Sequence, residues 1–242
     1  MIEALLPETA ATSDVFGPDG SAALYPEEAA VVARTPDRRR EEFATVRACA
    51  RRAMAALGMP PVPVLPGVRN VPQWPAGVVG SMTHCEGYRA AALARDTDLA
   101  AIGIDAEPDL PLPGGVLESI ALPGELAWVR AGGAMPRFSR DRLLFSAKEA
   151  VYKTWYPLVG TELDFDDADI AFQEDGTAAR PQGTFSARIL RPRRAPDGRL
   201  AERFTGRWLA DRGLVVTAIG FPAAARAAVP ETRPGTVRYQ GS

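Results

Sequence analysis

The sequence predicts an α+β fold, and three observations carry that prediction. Each half of the chain opens with apolar residues at helical spacing and continues into several strands. Short turns separate those strands, which argues against a parallel sheet of alternating strands and helices. The composition, 242 residues with 46% hydrophobic and 24% charged content, is that of a globular chain able to bury a core. That length suits one large domain or two of about 120 residues.

Residues 1–25 are mixed, with a turn signal at Gly17-Pro18-Asp19-Gly20. Pro26 precedes a short helix, Glu27 to Arg34. Asp37 is placed to N-cap a longer helix to about Leu57, closed by Gly58 and Pro60-Pro61. Phe43, Val46, Ala50, Ala53 and Leu57 form its buried stripe, while Arg39, Arg40, Arg47 and Arg51 lie mostly off it. Residues 58–77, rich in Pro and Gly, read as an extended loop anchored by Trp74. Strands follow at about 78–83, 88–95 and 99–107, the second and third as an antiparallel pair around Asp96-Thr97-Asp98. Prolines at 108, 111 and 113 mark 108–115 as a linker and divide the chain into 1–107 and 108–242. Short helices near 115–121 and 123–131 lead through Gly132-Gly133 to a long helix, about 139–156, stopped by Pro157. Strands near 168–173, 183–190, 202–210 and 214–221 complete the fold, the last two as a hairpin around Asp211-Arg212-Gly213. The tail from about 222 is expected to be mobile.

The net charge of −2 gives no global attraction to nucleic acid or to an anionic membrane. No run of 18 apolar residues exists, and the first ten residues lack the features of a signal peptide, so a soluble, cytoplasmic protein is expected. Cys49 and Cys85 supply neither a disulfide framework nor a zinc spacing. With His84 the sole histidine, a Ser-His-Asp or Cys-His site must use that residue.

Two stretches concentrate the chemistry. In the strand Ile102-Gly103-Ile104-Asp105-Ala106-Glu107 the carboxylates fall at i and i+2, on one face and about 7 Å apart. Phe145-Ser146-Ala147-Lys148-Glu149-Ala150-Val151-Tyr152-Lys153 reads as helix, with Leu143, Leu144, Ala147, Val151 and Trp155 as an apolar stripe and Glu149 and Lys153 sharing a face at i, i+4. All but two of the 28 basic residues are arginines, and the two lysines are Lys148 and Lys153. An ammonium is a compact charge with a tunable pKa, which a guanidinium is not. If the helix crosses the strand end, three carboxylates and two ammonium groups meet, a donor set suited to magnesium bound beside a phosphate. A solvated helix face with one salt bridge is the plain alternative.

Arg38-Arg39-Arg40, Arg47 and Arg51-Arg52 put a basic rim on the first long helix. Only Phe43 is interleaved there, so the rim fits a guanidinium grip on one phosphate, or a solvated face, better than a nucleic-acid surface. His84 and Thr83 end a strand where they suit phosphate contacts. Neither a Walker loop nor a strand–GxGxxG–helix unit is present.

The GIDAEP segment followed by FSAKEAVYK, with RRREEFATVRACARRA, WPAGVVGSMTHCEGYRAA and GLVVTAIGF in order around them, resembles the 4′-phosphopantetheinyl transferases. The likeness is to the large, monomeric, two-lobed type that serves polyketide and nonribosomal peptide synthetases, in its actinobacterial branch. It implies two similar α+β lobes with pseudo-twofold symmetry and an active site between them. It also implies transfer of the 4′-phosphopantetheine arm of coenzyme A to a serine of acyl or peptidyl carrier proteins, with Mg2+ or Mn2+. By resemblance, Asp105, Glu107 and Glu149 hold the metal, with Glu149 also the base, and Lys148 and Lys153 contact phosphates, Lys153 also stabilising the leaving charge. Thr83 and His84 meet the coenzyme's phosphates, and Arg39, Arg47 and Arg51 grip its 3′-phosphate. Some relatives carry a lysine in the loop before the Trp-Pro pair; here Pro66 and Arg69 stand in that loop, and Arg69 is the substitute. Carrier contacts are expected in 115–138, with Leu117, Ile120 and Leu122 as candidates that read equally well as the core of a short helix. Two other classes share these residues: a magnesium-dependent phosphohydrolase acting on coenzyme A or a nucleotide, and a coenzyme A- or nucleic-acid-binding protein.

Overall fold

The computed structural model describes residues 1–133, 137–177 and 179–224. The expected tail lies almost wholly outside the described residues. The chain is α+β. Three strands, β1 (Ala11–Phe16), β2 (Val78–Cys85) and β3 (Tyr88–Arg95), form an antiparallel sheet in the order β1-β3-β2. Five more, β4 (Leu99–Pro108), β5 (Ala168–Glu174), β6 (Gln182–Arg194), β7 (Leu200–Asp211) and β8 (Leu214–Pro222), form an antiparallel sheet in the order β4-β8-β7-β6-β5. Among the described residues five helices accompany them: α1 (Pro26–Val31), α2 (Asp37–Ala56), α3 (Val116–Ile120), α4 (Pro123–Arg130) and α5 (Arg140–Val159). Among the described residues no helix is long and apolar enough to cross a membrane.

Helix α2 covers the three-stranded sheet, packing Cys49, Ala50, Ala53 and Met54 against Val78, Ala91 and Leu93. Its N-cap is Pro36, without a side-chain cap bond, and Asp37 is already helical. Helix α5 covers the five-stranded sheet, burying Leu143, Leu144, Ala147, Val151 and Trp155, the predicted stripe, against Phe185, Phe204 and Trp208. Pro157 does not stop it. The proline falls in the last turn, where its absent N–H removes a single bond, and Gly160 closes the helix in left-handed conformation with its N–H on Tyr156 O.

The strands depart from the sequence reading at one omission and one pairing. Strand β1 was not visible in the mixed region 1–25, because as an edge strand it is half-buried along its length and shows no alternation. The expected β3–β4 hairpin does not form: β3 pairs with β1 and β2, and β4 pairs with β8, Asp105 opposite Thr217. By backbone pairing, the change of sheet falls between Arg95 and Leu99, ahead of the proline linker at 108–115. The two sheets meet where β2 runs beside β4. Ile104 N–H donates to Ser81 Oγ at 3.2 Å and Ala106 N–H to Thr83 Oγ1 at 3.2 Å. These links advance together along both strands, so β2 and β4 run the same way, with side-chain hydroxyls of β2 accepting from amides of β4.

Gly103 is the contact that positions the site. A Cβ there would collide with the Ala150 carbonyl oxygen and the Thr154 hydroxyl, so only glycine lets α5 lie this close to β4. The close crossing brings residue 153 of α5 to residues 104 and 105 of β4.

Candidate active site

A cleft of about 450 Å³ opens between the two halves. Helix α2 contributes Arg39, Glu42, Phe43 and Arg47, β2 contributes Met82 and His84, and the loop at 66–72 contributes Arg69. Opposite them α5 presents Glu149, Tyr152, Lys153 and Tyr156, which share one helix face at i, i+3, i+4 and i+7. Six predicted site residues therefore meet in one cleft: Arg39, Arg47, Arg69, His84, Glu149 and Lys153.

The cleft floor is electrostatically organised around Asp105, which is buried. Lys153 Nζ donates to Asp105 Oδ1 at 2.7 Å and to Ile104 O at 3.2 Å, and the Thr83 hydroxyl donates to the same Oδ1 at 3.3 Å. Asp105 Oδ2 is buried with no hydrogen-bond partner among the described residues. Burial pushes the Glu149 carboxyl above its usual range, opposed by Lys153 and reinforced by the Asp105 charge. Burial and then the Asp105 charge likewise raise Glu107, against the pull of Arg142, whose Nη1 lies 3.0 Å from Glu107 Oε2.

These three carboxylates are hard oxygen donors with one orphaned acceptor and mutual repulsion, a set that a divalent cation would relieve. Their oxygens do not all lie within 4.8 Å of one another. Among the described residues only Asp164, Asp166 and Asp167 form such a group. That second group is already used structurally: Asp167 Oδ2 accepts from Asp164 N–H, and Asp167 Oδ1 pairs with Arg191 Nε at 2.6 Å.

The basic wall is uneven. Arg47 is buried, donates from Nε to Val64 O at 3.2 Å and stacks on Phe43 with 3.1 Å from guanidinium carbon to ring centroid. Burial draws its pKa down to about 10, against the attraction of Glu28 and with the repulsion of Arg39 and Arg51. Arg39 Nη1 lies 2.8 Å from His84 Nε2. Because a guanidinium can only donate, this contact requires a neutral imidazole with Nε2 as acceptor and the proton on Nδ1. Burial, and then the Arg39 charge, lower the His84 pKa to match. Arg69 and Asn70 both have left-handed backbones, with φ of 57° and 60°, and Arg69 pairs with Glu162 beyond the end of α5.

Several predicted residues face elsewhere. Lys148 is buried and spends its ammonium on Glu125 Oε2 at 2.9 Å, Phe165 O at 2.6 Å and Ala168 O at 2.9 Å. It anchors α5 to α4 and β5 and does not line the cleft; adjacent helical residues diverge by about 100°, so Lys148 cannot follow Glu149. Thr83 points to β4 because successive strand residues alternate, leaving its neighbours Met82 and His84 on the cleft side. Arg51 is held by Glu28 Oε2 at 2.9 Å and by Ala23 O, away from the cleft. Neither Asp105 nor Glu107 lines it; Asp105 sits behind the lining residue Lys153, bound to its ammonium, and Glu107 is held by Arg142. Among the expected carrier contacts, Ile120 is buried and Leu117 packs on the core. Sequence reasoning missed Glu42, Tyr152 and Tyr156; the two tyrosines stack with centroids 5.8 Å apart, and their spacing from Glu149 on the helix was the available signal.

The described arginine face of α2 is largely self-satisfied: Arg38 pairs with Glu42, Arg40 with Asp37, and Arg52 with Asp19.

Residues 27–94 match the family model for the 4′-phosphopantetheinyl transferase N-terminal domain, and residues 101–191 match that for the 4′-phosphopantetheinyl transferase superfamily. The chain is 55% identical to the 4′-phosphopantetheinyl transferase Svp of Streptomyces mobaraensis, over 93% of this chain and 91% of the relative. It is 44% identical to Npt of Nocardia iowensis, over 91% and 100%, and 43% identical to PptT of Mycobacterium tuberculosis, over 90% and 97%; both carry the same transferase name.

Proposed function

Since this chain belongs to the 4′-phosphopantetheinyl transferase superfamily, we propose that its cleft is where the 4′-phosphopantetheine arm of coenzyme A passes to a carrier-protein serine. The protein is a transferase, converting an apo carrier to its holo form and releasing 3′,5′-ADP. The observation that carries the assignment to this cleft is the convergence of Arg39, Arg47, His84, Glu149 and Lys153 on one cavity above Asp105.

In this reading Arg39 and Arg47 bind the coenzyme's 3′-phosphate, since guanidinium donors match phosphate oxygens. Arg69, already at the cleft mouth, supplies a further cation. Glu149 accepts the proton of the attacking serine hydroxyl, and its raised pKa brings it nearer the value that suits a general base at neutral pH. The serine oxygen bonds to the phosphorus bearing the pantetheine arm as the bridging bond to 3′,5′-ADP breaks. Lys153 offsets the charge that develops there, from a position fixed by Asp105 and Ile104 O. Asp105, through Oδ2, with Glu107 and Glu149 would hold Mg2+ or Mn2+, which when bound neutralises phosphate charge. Lys148 and Thr83 act behind this set: Lys148 fixes α5, and Thr83 orients Asp105.

The test is the intact mass of apo acyl and peptidyl carrier proteins after incubation with the enzyme, coenzyme A and Mg2+. Gain of one phosphopantetheine arm, abolished by a chelator, is the expected result. Consumption of coenzyme A with every carrier unmodified would instead identify a phosphohydrolase.

A further inference from the structure

Arg142 is a residue beside this site that neither the sequence motifs nor the transfer chemistry calls for, and each of its three guanidinium nitrogens is engaged. Nη1 binds Glu107 Oε2 at 3.0 Å, Nε donates to Leu110 O at 2.9 Å, and Nη2 donates to Pro111 O at 3.0 Å. Its side chain is only 16% exposed, and that of Glu107 21%. The guanidinium is therefore a fixed point and not a mobile surface charge.

The segment it grips is itself fastened to the start of α5. Ser139 N–H donates to Asp109 Oδ1 at 2.6 Å, and Leu112 N–H donates to Asp141 Oδ2 at 2.8 Å. Arg142 thus stands on a pedestal built from both ends, with one fork aimed at the carboxylate that follows Asp105 on its face of β4. The neighbouring Asp105 is treated differently: its Oδ2 is left without a partner among the described residues.

We propose that Arg142 is a positioning residue that withholds one oxygen of Glu107 from the cation, so that Glu107 can offer only Oε1 and the cation keeps positions open for phosphate. The proposal rests on the reading of Asp105, Glu107 and Glu149 as the cation site. A cation held by every oxygen of three carboxylates would bind tightly, yet would have fewer positions for the pyrophosphate of its substrate. A guanidinium that occupies Oε2 and adds a positive charge trades affinity for free cation against open coordination.

The experiment is Mn2+ binding to the full chain without coenzyme A, read by the electron paramagnetic resonance signal of free Mn2+. Arg142→Met is expected to bind Mn2+ more tightly, by roughly three- to tenfold, the scale set by removing one nearby unit charge in a water-like medium. Arg142→Lys, which keeps the charge, stays near the wild-type affinity. Arg142→Gln, which keeps a donor for the loop, repeats the measurement should Arg142→Met lose its circular-dichroism signature. Unchanged or weaker Mn2+ binding in the folded, uncharged variant overturns the proposal. Asp105→Asn separates the underlying reading: if it binds Mn2+ as the wild type does, the cation site is elsewhere and the proposal falls with it.

Discussion

Lys153 holds one oxygen of Asp105, with Nζ 2.7 Å from Oδ1, while Oδ2 stays buried with no hydrogen-bond partner among the described residues. A buried acceptor without a partner is costly, and a cation is the species that would satisfy it. The structure therefore predicts stabilisation by metal that depends on this one carboxylate. At about 100-fold its dissociation constant, Mg2+ should stabilise the wild type by about 2.7 kcal/mol. Asp105→Asn should remove that increment, and with it transfer activity, and loss of the Lys153 ion pair should lower its metal-free melting temperature. Thermal unfolding with and without Mg2+ checks both statements.

Lys148 separates a structural from a functional role for the lysine adjoining Glu149. Removing it strands Glu125, a buried carboxylate that also accepts from Leu122 N–H and Ile170 N–H. Lys148→Met should cost about 3–5 kcal/mol of stability. At a temperature where the variant stays folded, its KM for coenzyme A should match that of the wild type. Denaturant titration beside steady-state kinetics tests the pair of outcomes, and a large rise in KM in a stable variant would return Lys148 to the phosphates.

Gly103→Ala tests the crossing of α5 over β4. The added methyl meets backbone as well as the Thr154 side chain, so it cannot be absorbed by a rotamer change. A loss of about 1–3 kcal/mol, the usual range for overpacking, is expected. Activity should fall even where the variant is folded, because a shifted α5 carries Glu149 and Lys153 away from Asp105. Melting temperature and specific activity measured together decide this.

His84 gives the protein an acid-sensitive contact. Burial first, then Arg39, lowers its folded pKa below the ordinary value of 6.5, so the unfolded chain takes up this proton first as pH falls. Its contribution to stability is complete above about 6.5 and is lost as pH falls toward the depressed folded value. His84→Gln removes that titration, so its stability should decline less steeply than that of the wild type on acidification below pH 6.5. Unfolding free energy measured across that interval is the check.

The parts of this site that could be read in the sequence were those with local periodicity. Two carboxylates at i, i+2 on a strand, and Glu149 with Lys153 at i, i+4 on a helix, fix a shared face before any tertiary contact exists. The same periodicity already argued against Lys148 and Thr83, each adjacent to a cleft residue and therefore turned from it. What stayed hidden was non-local. Strand β4 pairs with β8 more than a hundred positions later, and nothing near Leu99 signals that choice over β3. Arg142 reaches Glu107 across 35 positions through a turn whose shape depends on Asp109 and Asp141. Gly103 stood within a strand with no turn to explain it, and the packing of α5 supplies the reason.

The central claim is that Glu149, at the cleft between the two sheets, takes the proton from the attacking serine. The most direct measurement is single-turnover transfer to an apo carrier protein by Glu149→Gln, with coenzyme A and Mg2+ saturating and the arm detected by intact mass. A fall of about 10²–10⁴-fold relative to the wild type, with coenzyme A still bound, is the predicted result. A rate within a few-fold of the wild type would contradict the assignment and place the base elsewhere.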